Sequence, residues 1–208
     1  MNGNRFPLKN MVFDMGGVLL RYDPEYFIER EGIADGDREL MMKLIYASRE
    51  WSLMDRGEMT EEQLEGIVRP QIPERLHEAA HRLIFDFFDP MEPIPQMAEF
   101  IRECREDGMG IYLVSNASLR HKTYWQAIPG SEYFDGIVVS AYEKCAKPHP
   151  KIFRRLLARY GLTAEECMFV DDVQANADAA AALGMRCFHF HGDVAALRKA
   201  YDRAKGTE

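Results

Sequence analysis

The stretch Met11-Val12-Phe13-Asp14-Met15-Gly16-Gly17-Val18 lies near the N-terminus and contains a short apolar run, then one carboxylate, then a glycine-rich turn. An apolar run of this length that ends in a turn is typical of a buried strand of a parallel sheet. A carboxylate at its end lies where open α/β sheets bind ligands, beyond the carboxyl ends of the strands. We therefore predict that Asp14 belongs to a functional site and acts there as a nucleophile.

Three further apolar runs end in polar side chains whose chemistry complements that of Asp14. Ser115-Asn116 follows the run 111–114 and supplies a hydroxyl and an amide. Lys147-Pro148 comes after the run 137–139 and supplies an ammonium. Asp171-Asp172 follows the run 168–170 and supplies an acidic pair. Each of these sequences alone is an ordinary turn or helix cap. Because parallel strands end at one edge of a sheet, the four together predict a single site.

The chain beyond residue 92 alternates helix-length and strand-length segments. The pattern predicts strands at 110–115, 136–140, 167–171 and 185–190, and helices at 95–107, 118–127, 149–160, 174–183 and 193–204. Strands separated by helices imply βαβ crossovers. We therefore predict a doubly wound parallel α/β sheet that includes the strand before Asp14.

A long segment separates the first two motifs. The chain between Asp14 and Ser115 exceeds an ordinary crossover of about 30 residues by roughly 70, and its apolar residues recur at helical spacing. We predict an α/β core formed by residues 1–20 and 92–208, with residues 21–91 as an inserted helical domain. Because the insert leaves the sheet just after Asp14, we expect it to act as a lid over the site.

Composition places the chain among soluble globular proteins. Its 208 residues are 47% hydrophobic, no run approaches the roughly 20 apolar residues of a membrane span, and Asn2, Asn4 and Arg5 lie where a secretory leader would be apolar. The net charge of −8 disfavours nucleic acid as a partner. The cysteines form no Cys-x-x-Cys pair, which favours reduced, buried thiols. We predict a cytoplasmic protein, either a monomer or a small homo-oligomer.

The residue types at the strand ends suit phosphoryl transfer. A carboxylate held against a cation and a phosphorus atom can attack and form an acyl phosphate, which is the role we predict for Asp14. The like-charged pair Asp171-Asp172 is costly without a cation, and Mg²⁺ prefers carboxylate and carbonyl oxygens. We therefore predict Mg²⁺ as the cofactor, held by Asp14, Asp171, Asp172 and the carbonyl of Gly16.

The remaining polar residues are predicted to bind the phosphate. Lys147 places a fixed positive charge beside the nucleophile and the phosphoryl oxygens, so we predict both a catalytic and a phosphate-binding role for it. Ser115 can donate its hydroxyl, and Asn116 its backbone amide, to the transferring group. Asn176 follows the acidic pair and either braces it, orients a water on the metal, or is an ordinary helix-surface residue.

These motifs, in this order along the whole chain, resemble those of the haloacid dehalogenase superfamily of aspartate-nucleophile phosphotransferases. The resemblance implies a Rossmann-like core of haloacid dehalogenase type with an inserted helical C1 cap, and residues 51–58 resemble a segment common in such caps. The motifs correspond in order to Asp14, Ser115-Asn116, Lys147-Pro148 and Asp171-Asp172. The implied activity is hydrolysis of a small phosphorylated metabolite.

One position departs from the common pattern. Most phosphatases of this superfamily have Asp-x-Asp in the first motif, where the second Asp protonates the leaving oxygen, but this chain has Gly16. Such acid catalysis contributes about 10²–10⁴-fold, so either turnover is slow or the proton comes from elsewhere. A subgroup resembling the bacterial α-D-glucose-1-phosphate phosphatases shares the glycine and has a His and a Trp like His121 and Trp125. This resemblance favours a sugar phosphate as the substrate.

Two other functions remain open at this point. Metal-free haloacid dehalogenases also lack the second Asp of the first motif, although the pair Asp171-Asp172 speaks against this function. A non-catalytic regulator would keep the fold and bind a phosphorylated ligand, and Gly16 would then reflect the loss of catalytic activity. The two alternatives differ from a phosphatase in whether halide, phosphate or neither is released.

The histidine patterns have ordinary structural interpretations. The run His77-Glu78-Ala79-Ala80-His81 matches the His-Glu-x-x-His signature of zinc proteases, but no distinctive third ligand follows it, so we interpret the match as coincidence. His189 and His191 lie on one side of an extended segment. We interpret them as hydrogen-bonded strand-end residues rather than metal ligands.

Several aromatic and charged residues of the insert and its surroundings allow two interpretations. Tyr46, Trp51 and Trp125 are predicted to pack in the core rather than to line a substrate pocket, because aromatic residues at helical spacing are usually core residues. Arg56 and Glu58 follow a turn in the insert. They either reach the site or lie in solvent.

Overall fold

The apolar runs that precede the polar motifs form the strands of a parallel sheet. The computed structural model describes residues 6–206, and within this range the sheet consists of β1 (Asn10–Phe13), β2 (Gly110–Ser115), β3 (Gly136–Val139), β4 (Cys167–Asp171) and β5 (Arg186–His189). Their spatial order is β3-β2-β1-β4-β5, and every neighbouring pair is parallel. The predicted doubly wound parallel sheet is confirmed.

Helices fill the connections between the strands. They are α1 (Pro24–Arg30), α2 (Asp35–Leu44), α3 (Arg49–Asp55), α4 (Glu61–Val68), α5 (His77–Phe85), α6 (Met97–Glu106), α7 (His121–Tyr124), α8 (Ser140–Glu143), α9 (Pro150–Tyr160), α10 (Gln174–Ala181) and α11 (Val194–Lys205). The predictions for α6, α9, α10 and α11 are confirmed to within two residues at each end. Residues 1–5 of the predicted core lie outside the described residues. The polar residues Asn2, Asn4 and Arg5, on which the prediction about a secretory leader rests, are among them.

The predicted helix at 118–127 is wrong in its length. The α-helix begins only at His121 and ends at Tyr124, and a short 3₁₀ turn follows it. Ser118 is the physical reason, because its Oγ accepts a hydrogen bond from the amide of Arg120 at 3.2 Å and donates one to Glu61. A side chain that bonds the nearby backbone in this way competes with helix formation.

Strand β1 is the centre of the sheet, and each of its residues is buried. Because side chains alternate along a strand, Phe13 faces one side of the sheet and Val12 the other. Phe13 packs against Phe100 of α6 at 6.3 Å between ring centroids. Val12 belongs to a second cluster, in which Phe153 of α9 and Phe169 of β4 lie 5.2 Å apart. Helices thus cover both faces, and the polar motifs emerge at the carboxyl edge.

Helices α1 to α5 build a hydrophobic cluster of their own. Its buried members fall within the segment predicted as the insert and include Phe27, Met41, Ile45, Trp51, Leu64 and Leu83. The predicted helix start at Thr60 is confirmed by a capping box, in which the side chains of Thr60 and Gln63 each accept from the other's backbone amide. These helices therefore have an apolar core that does not depend on the sheet.

Two further properties of residues 6–206 concern the helices and the cysteines. None of the helices in this range has the length and apolar character needed to cross a lipid bilayer. The cysteines are free thiols, and Cys104, Cys145 and Cys167 are buried while Cys187 is half-buried. Burial raises the pKa of Cys104 to about 12 and that of Cys167 to about 11, so these thiols are in the unreactive protonated form at neutral pH.

Candidate active site

The carboxyl ends of β1, β2 and β4 bring the predicted motifs together. Asp14 follows β1 directly, and its amide donates to the carbonyl of Val170 at 2.9 Å. Ser115 ends β2, and Asp171 ends β4. Lys147 lies in the loop between α8 and α9. Residues that are far apart in the sequence thus meet at one edge, because the strands that carry them are parallel neighbours.

The ammonium of Lys147 joins two of the carboxylates. Its Nζ lies 2.7 Å from Oδ1 of Asp14 and 2.6 Å from Oδ2 of Asp171, and the side chain is only 1% exposed. Asn116 holds the backbone of Lys147 at both polar atoms: its Nδ2 donates to the carbonyl at 3.0 Å, and its Oδ1 accepts from the amide at 2.8 Å. The side chain of Asn116 therefore positions Lys147, and its backbone amide is the group that can face a phosphate.

Asp171 is completely buried, and both of its oxygens are engaged. Oδ2 contacts Lys147, while Oδ1 accepts hydrogen bonds from the amide of Val173 at 2.8 Å and from Nδ2 of Asn176 at 3.0 Å. Asn176, which is 6% exposed, therefore braces the acidic pair. Asp172 instead lines the cavity beside Asp14, where its carboxylate can reach a ligand.

The site contains more negative than positive charge. Oxygens of Asp14, Asp171 and Asp172 all lie within 4.8 Å of one another. Burial raises the pKa of Asp14 well above its usual range, Lys147 opposes this shift, and Asp171 adds to it. Burial and the neighbouring Asp171 also raise the pKa of Asp172. A cluster of buried carboxylates with excess negative charge is a donor set that fits Mg²⁺.

The glycine turn after Asp14 is required by two close approaches. Gly17 has a φ of +73°, and a Cβ at this position would lie 2.2 Å from Oδ2 of Asp172. A Cβ on Gly16 would lie 3.1 Å from Cβ and 3.3 Å from Cγ of Tyr22. The space in which the second Asp of the common motif would stand is therefore bordered tightly by the ring of Tyr22.

A cavity of about 620 Å³ opens above the carboxyl edge. Its polar floor consists of Asp14, Gly16, Asn116, Lys147 and Asp172. Its walls are largely aromatic, and the rings come from the helical segment and from the chain after β2: Tyr22, Trp51, Phe85, Phe87, Phe88 and Tyr124. The predicted phosphate-binding Ser115 is 1% exposed and is not among the lining residues, and its Oγ has no hydrogen-bond partner within residues 6–206.

Most polar side chains in the cavity wall are paired with the protein itself. Ser118 donates to Glu61, and the hydroxyl of Thr123 donates to the carbonyl of Arg120 at 2.8 Å. The guanidinium of Arg120 lies 3.8 Å from Asp86. These groups offer few free hydrogen bonds to a polar molecule in the cavity.

The sequence profile of the haloacid dehalogenase-like hydrolases matches residues 8–184. The chain belongs to this family. The hydrolase is 29% identical over 195 residues to the sesquiterpene phosphatase astK of Aspergillus oryzae, an alignment that covers 90% of this chain and 92% of that protein.

Solved structures share the fold of this haloacid dehalogenase-like hydrolase. The HAD family enzyme bt-2542 of Bacteroides thetaiotaomicron, in complex with magnesium and inorganic phosphate, has a TM-score of 0.68 and 22% identity over 91% of this chain and 98% of that chain. The L-2-haloacid dehalogenase of Xanthobacter autotrophicus has a TM-score of 0.62 and 18% identity over 86% and 76% of the two chains. At these identities the likeness establishes the fold, which hosts different reactions.

Three of the four histidines that matched metal-site patterns have hydrogen-bond partners in the hydrolase. Nε2 of His77 lies 3.1 Å from a backbone carbonyl, and Nδ1 of His81 lies 3.1 Å from Glu65. Nε2 of His189 lies 2.9 Å from the carbonyl of Asp172. The last contact makes His189 a hydrogen-bonded strand-end residue, as interpreted from the sequence.

The predicted packing roles of the large aromatic residues are confirmed. Tyr46 and Trp51 lie 4.7 Å apart in the helical cluster, and Trp125 stacks on His121 at 5.2 Å. Burial lowers the pKa of His121 to about 4, so its ring is neutral at physiological pH. Trp51 also lines the cavity, so it both packs in the helical cluster and borders the cavity.

Asp55 and Tyr22 line the cavity although the sequence patterns did not single them out. Arg56 and Glu58, which the sequence left open, pair with each other at 3.0 Å and are not among the lining residues. A helical signal for Asp55 was present, because Trp51 and Asp55 are four residues apart on α3 and share one helix face. No comparable pattern marks Tyr22, whose place depends on tertiary packing.

Replacing Lys147 by Met should destabilise the hydrolase strongly in the presence of EDTA. The substitution leaves buried carboxylates without their counter-charge, and breaking a buried pair in this way costs about 3–5 kcal/mol. Urea unfolding measures the change. Lys9→Met is the matched control, because Lys9 pairs with Glu166 while 57% exposed, and such pairs contribute about 0–1 kcal/mol. Equal losses in both variants would show that the buried pairs contribute no more than a surface pair.

Proposed function

We propose that this hydrolase is a Mg²⁺-dependent phosphomonoesterase that forms an aspartyl-phosphate intermediate at Asp14. The observation that carries the proposal is the charge balance at the sheet edge, where three carboxylates lie within 4.8 Å of one another and Lys147 is the paired cation. Such an arrangement suits an ester with a dianionic head group and a divalent cation better than it suits a neutral or monoanionic substrate.

The proposed protein ligands of Mg²⁺ are Asp14, Asp172 and the carbonyl of Gly16. Asp171 is the fourth predicted group, but because its oxygens already accept contacts from Lys147 and Asn176, it contributes mainly negative charge. When bound, the cation supplies positive charge that offsets the carboxylates and the phosphate. Magnesium accompanies phosphate in the structurally similar Bacteroides enzyme, which supports this choice.

In the proposed reaction, a carboxylate oxygen of Asp14 attacks phosphorus while the bond from phosphorus to the ester oxygen breaks. The leaving oxygen takes up a proton from a group in the cavity, so the products of this step are an alcohol and an acyl phosphate on Asp14. Water then hydrolyses the acyl phosphate, which releases inorganic phosphate and restores the carboxylate. Lys147, the Oγ of Ser115 and the backbone amide of Asn116 are proposed to hold the phosphoryl oxygens through both steps.

We also propose that residues 21–91 form a lid domain that closes the cavity, with residues 6–20 and 92–206 as the core. The helical segment contacts the chain after β2 where Glu61 accepts from Ser118 and where the carbonyl of Phe85 accepts from Arg120 at 3.4 Å. The helical segment also contacts α8, where Oγ of Ser140 donates a hydrogen bond to the carbonyl of Asp55 at the end of α3. A closed lid excludes water and strengthens the electrostatic interactions below it.

The cavity favours an ester whose organic part is apolar. Its walls carry rings such as Trp51, Phe87 and Tyr124, and most of the polar side chains between them are bonded within the protein. Burying an apolar group here gains about 25 cal/mol per Å², whereas sugar hydroxyls would lose water without finding many partners. The name of the sesquiterpene phosphatase relative agrees with an apolar substrate. The sugar phosphate suggested by the resemblance to glucose-1-phosphate phosphatases is the second candidate.

The two remaining functions make different predictions about the same site. A metal-free dehalogenase needs no cation and does not explain why Asp172 is placed beside Asp14 and Asp171. A non-catalytic phosphate-binding protein would bind the ester without releasing phosphate.

Replacing Asp14 by Asn should abolish phosphatase activity while the fold is retained. Loss of a covalent nucleophile lowers kcat by about 10³-fold or more, and the wild type should lose activity to a similar degree in EDTA. Phosphate release from para-nitrophenyl phosphate measures both effects. Halide release from 2-haloacids in EDTA would identify the dehalogenase instead, and tight phosphate binding without turnover by the wild type would identify the regulator.

A series of n-alkyl phosphates from ethyl to octyl should show the apolar preference. Each buried methylene contributes about 0.8 kcal/mol, so kcat/KM should rise about fourfold per carbon until the cavity is filled. Phe87→Ser in the wall should flatten this dependence, while Ile67→Ser, at a residue 40% exposed on α4, should not. A higher kcat/KM for glucose 1-phosphate than for hexyl phosphate would favour the sugar phosphate.

A further inference from the structure

The turn after α3 is fixed against the core. The backbone carbonyl of Asp55, the last residue of α3, accepts a hydrogen bond from Oγ of Ser140 at the start of α8, and the carbonyl of Gly57 accepts one from Lys144. Gly57 has a φ of +63°, and a Cβ there would lie 2.4 Å from the carbonyl oxygen of Ala141. These contacts hold the backbone of Asp55 in a defined place over the carboxyl edge of the sheet.

The carboxyl group of Asp55 lines the same cavity as Asp14, and within residues 6–206 it has no hydrogen bond or ion pair. The other acidic residues of the wall are either paired within the protein or, like Asp89, exposed to solvent. Glu61 accepts from Ser118, and Asp86 lies 3.8 Å from Arg120. Asp55 is therefore the partly buried wall carboxyl that remains available to a molecule in the cavity.

The surroundings of Asp55 favour its protonated form. Burial raises its pKa to about 7, and the negative charge of Asp14 acts in the same direction, while Lys147 and Arg56 oppose it and Glu61 adds a smaller increase. A carboxyl group with such a pKa carries a proton in a substantial fraction of molecules at neutral pH. A pKa near the working pH is the property of an efficient general acid and base.

The first motif cannot supply this proton. Gly16 stands at the position of the second Asp, and a Cβ on this residue would lie 3.3 Å from Cγ of the Tyr22 ring. Tyr22 is itself a poor donor, because burial raises the pKa of its hydroxyl further above the usual value and its oxygen already bonds to Trp51. A proton for the leaving oxygen has to come from another wall of the cavity.

We propose that Asp55 is the general acid and base of the hydrolase and takes the place of the missing carboxyl at Gly16. This inference rests on the proposed phosphatase function. In the first step, the bond between Asp14 and phosphorus forms, the bond between phosphorus and the ester oxygen breaks, and Asp55 gives its proton to that oxygen. The products are the neutral alcohol, the acyl phosphate of Asp14 and the carboxylate of Asp55.

The second step returns the proton. The carboxylate of Asp55 accepts a proton from the attacking water as the new bond to phosphorus forms, and the bond between Asp14 and phosphorus breaks. Inorganic phosphate leaves, Asp14 is again a carboxylate, and Asp55 is again protonated. The lid thus supplies a reacting group, so lid closure and proton transfer depend on the same contact between α3 and α8.

The test compares two esters that have the same ring and different leaving groups. The leaving oxygen of para-nitrophenyl phosphate gives a stable phenolate and needs no proton, whereas that of para-nitrobenzyl phosphate gives an alkoxide and does. Asp55→Asn should lower kcat/KM for the benzyl ester by about 10²–10⁴-fold and for the phenyl ester by less than about tenfold. Because kcat/KM reports the steps up to alcohol release, slow hydrolysis of the acyl phosphate does not obscure the difference.

Two controls separate this role from a structural one. Glu58→Gln removes an exposed carboxyl three residues away in the same turn and should change both esters by the same small factor. A partly unfolded Asp55→Asn preparation would lower both rates equally, so the ratio between the esters does not depend on the folded fraction. If Asp55→Asn does not fold, Asp55→Ser provides the same comparison.

The outcomes for the proposal and for the proposed function are distinct. A selective loss on the benzyl ester supports Asp55 as the proton donor. Equal losses on the two esters, or no loss on either, would overturn the assignment while leaving the phosphatase intact. If the wild type with Mg²⁺ releases phosphate from neither ester, the proposed function itself fails.

Discussion

The structure depends on one buried ammonium, that of Lys147, which lies between Asp14 and Asp171 at the carboxyl edge of the sheet. Buried charges are costly unless they are paired and hydrogen-bonded. Here Asn176 donates a hydrogen bond to the carboxylate of Asp171, and Asn116 holds the backbone of Lys147 in place. The arrangement exists only because β1 and β4 are parallel neighbours. Their common direction places the residues that follow Phe13 and Val170 at the same height. The parallel pairing of β1 with β4 therefore determines both the fold and the geometry of the site.

Much of this arrangement of strands and polar residues could be predicted from the sequence. Short apolar runs that end in Asp14, Ser115 and Asp171 specify strands, and parallel strands must bring their carboxyl ends together. The cavity walls could not be predicted in this way, because Tyr22 and Asp55 reach the site through the packing of helices against one another. Helix α7 is shorter than its periodicity indicates for a similar reason: Ser118 bonds to Glu61, which lies in a distant part of the chain.

The cavity combines a charged and an apolar environment. Its floor is a cluster of carboxylates around Asp14, and its walls are rings held together by the hydrophobic cluster of α1 to α5. An apolar wall lowers the local dielectric constant, so the charges on the floor act more strongly on a bound phosphate. The same wall raises the pKa of Asp55, which allows a carboxyl from the helical segment to perform the chemistry that Gly16 cannot. The apolar wall thus accounts for both the proposed preference for an apolar substrate and the proposed proton transfer by Asp55.

The most direct test of the account is a crystal structure of the hydrolase grown with Mg²⁺ and inorganic phosphate. The account predicts a cation that contacts Asp14, Asp172 and the carbonyl of Gly16, with the phosphorus atom facing the free oxygen of Asp14 and the phosphate oxygens near Lys147 and Ser115. A phosphate bound away from Asp14, or a cation site that excludes Asp14, would contradict it.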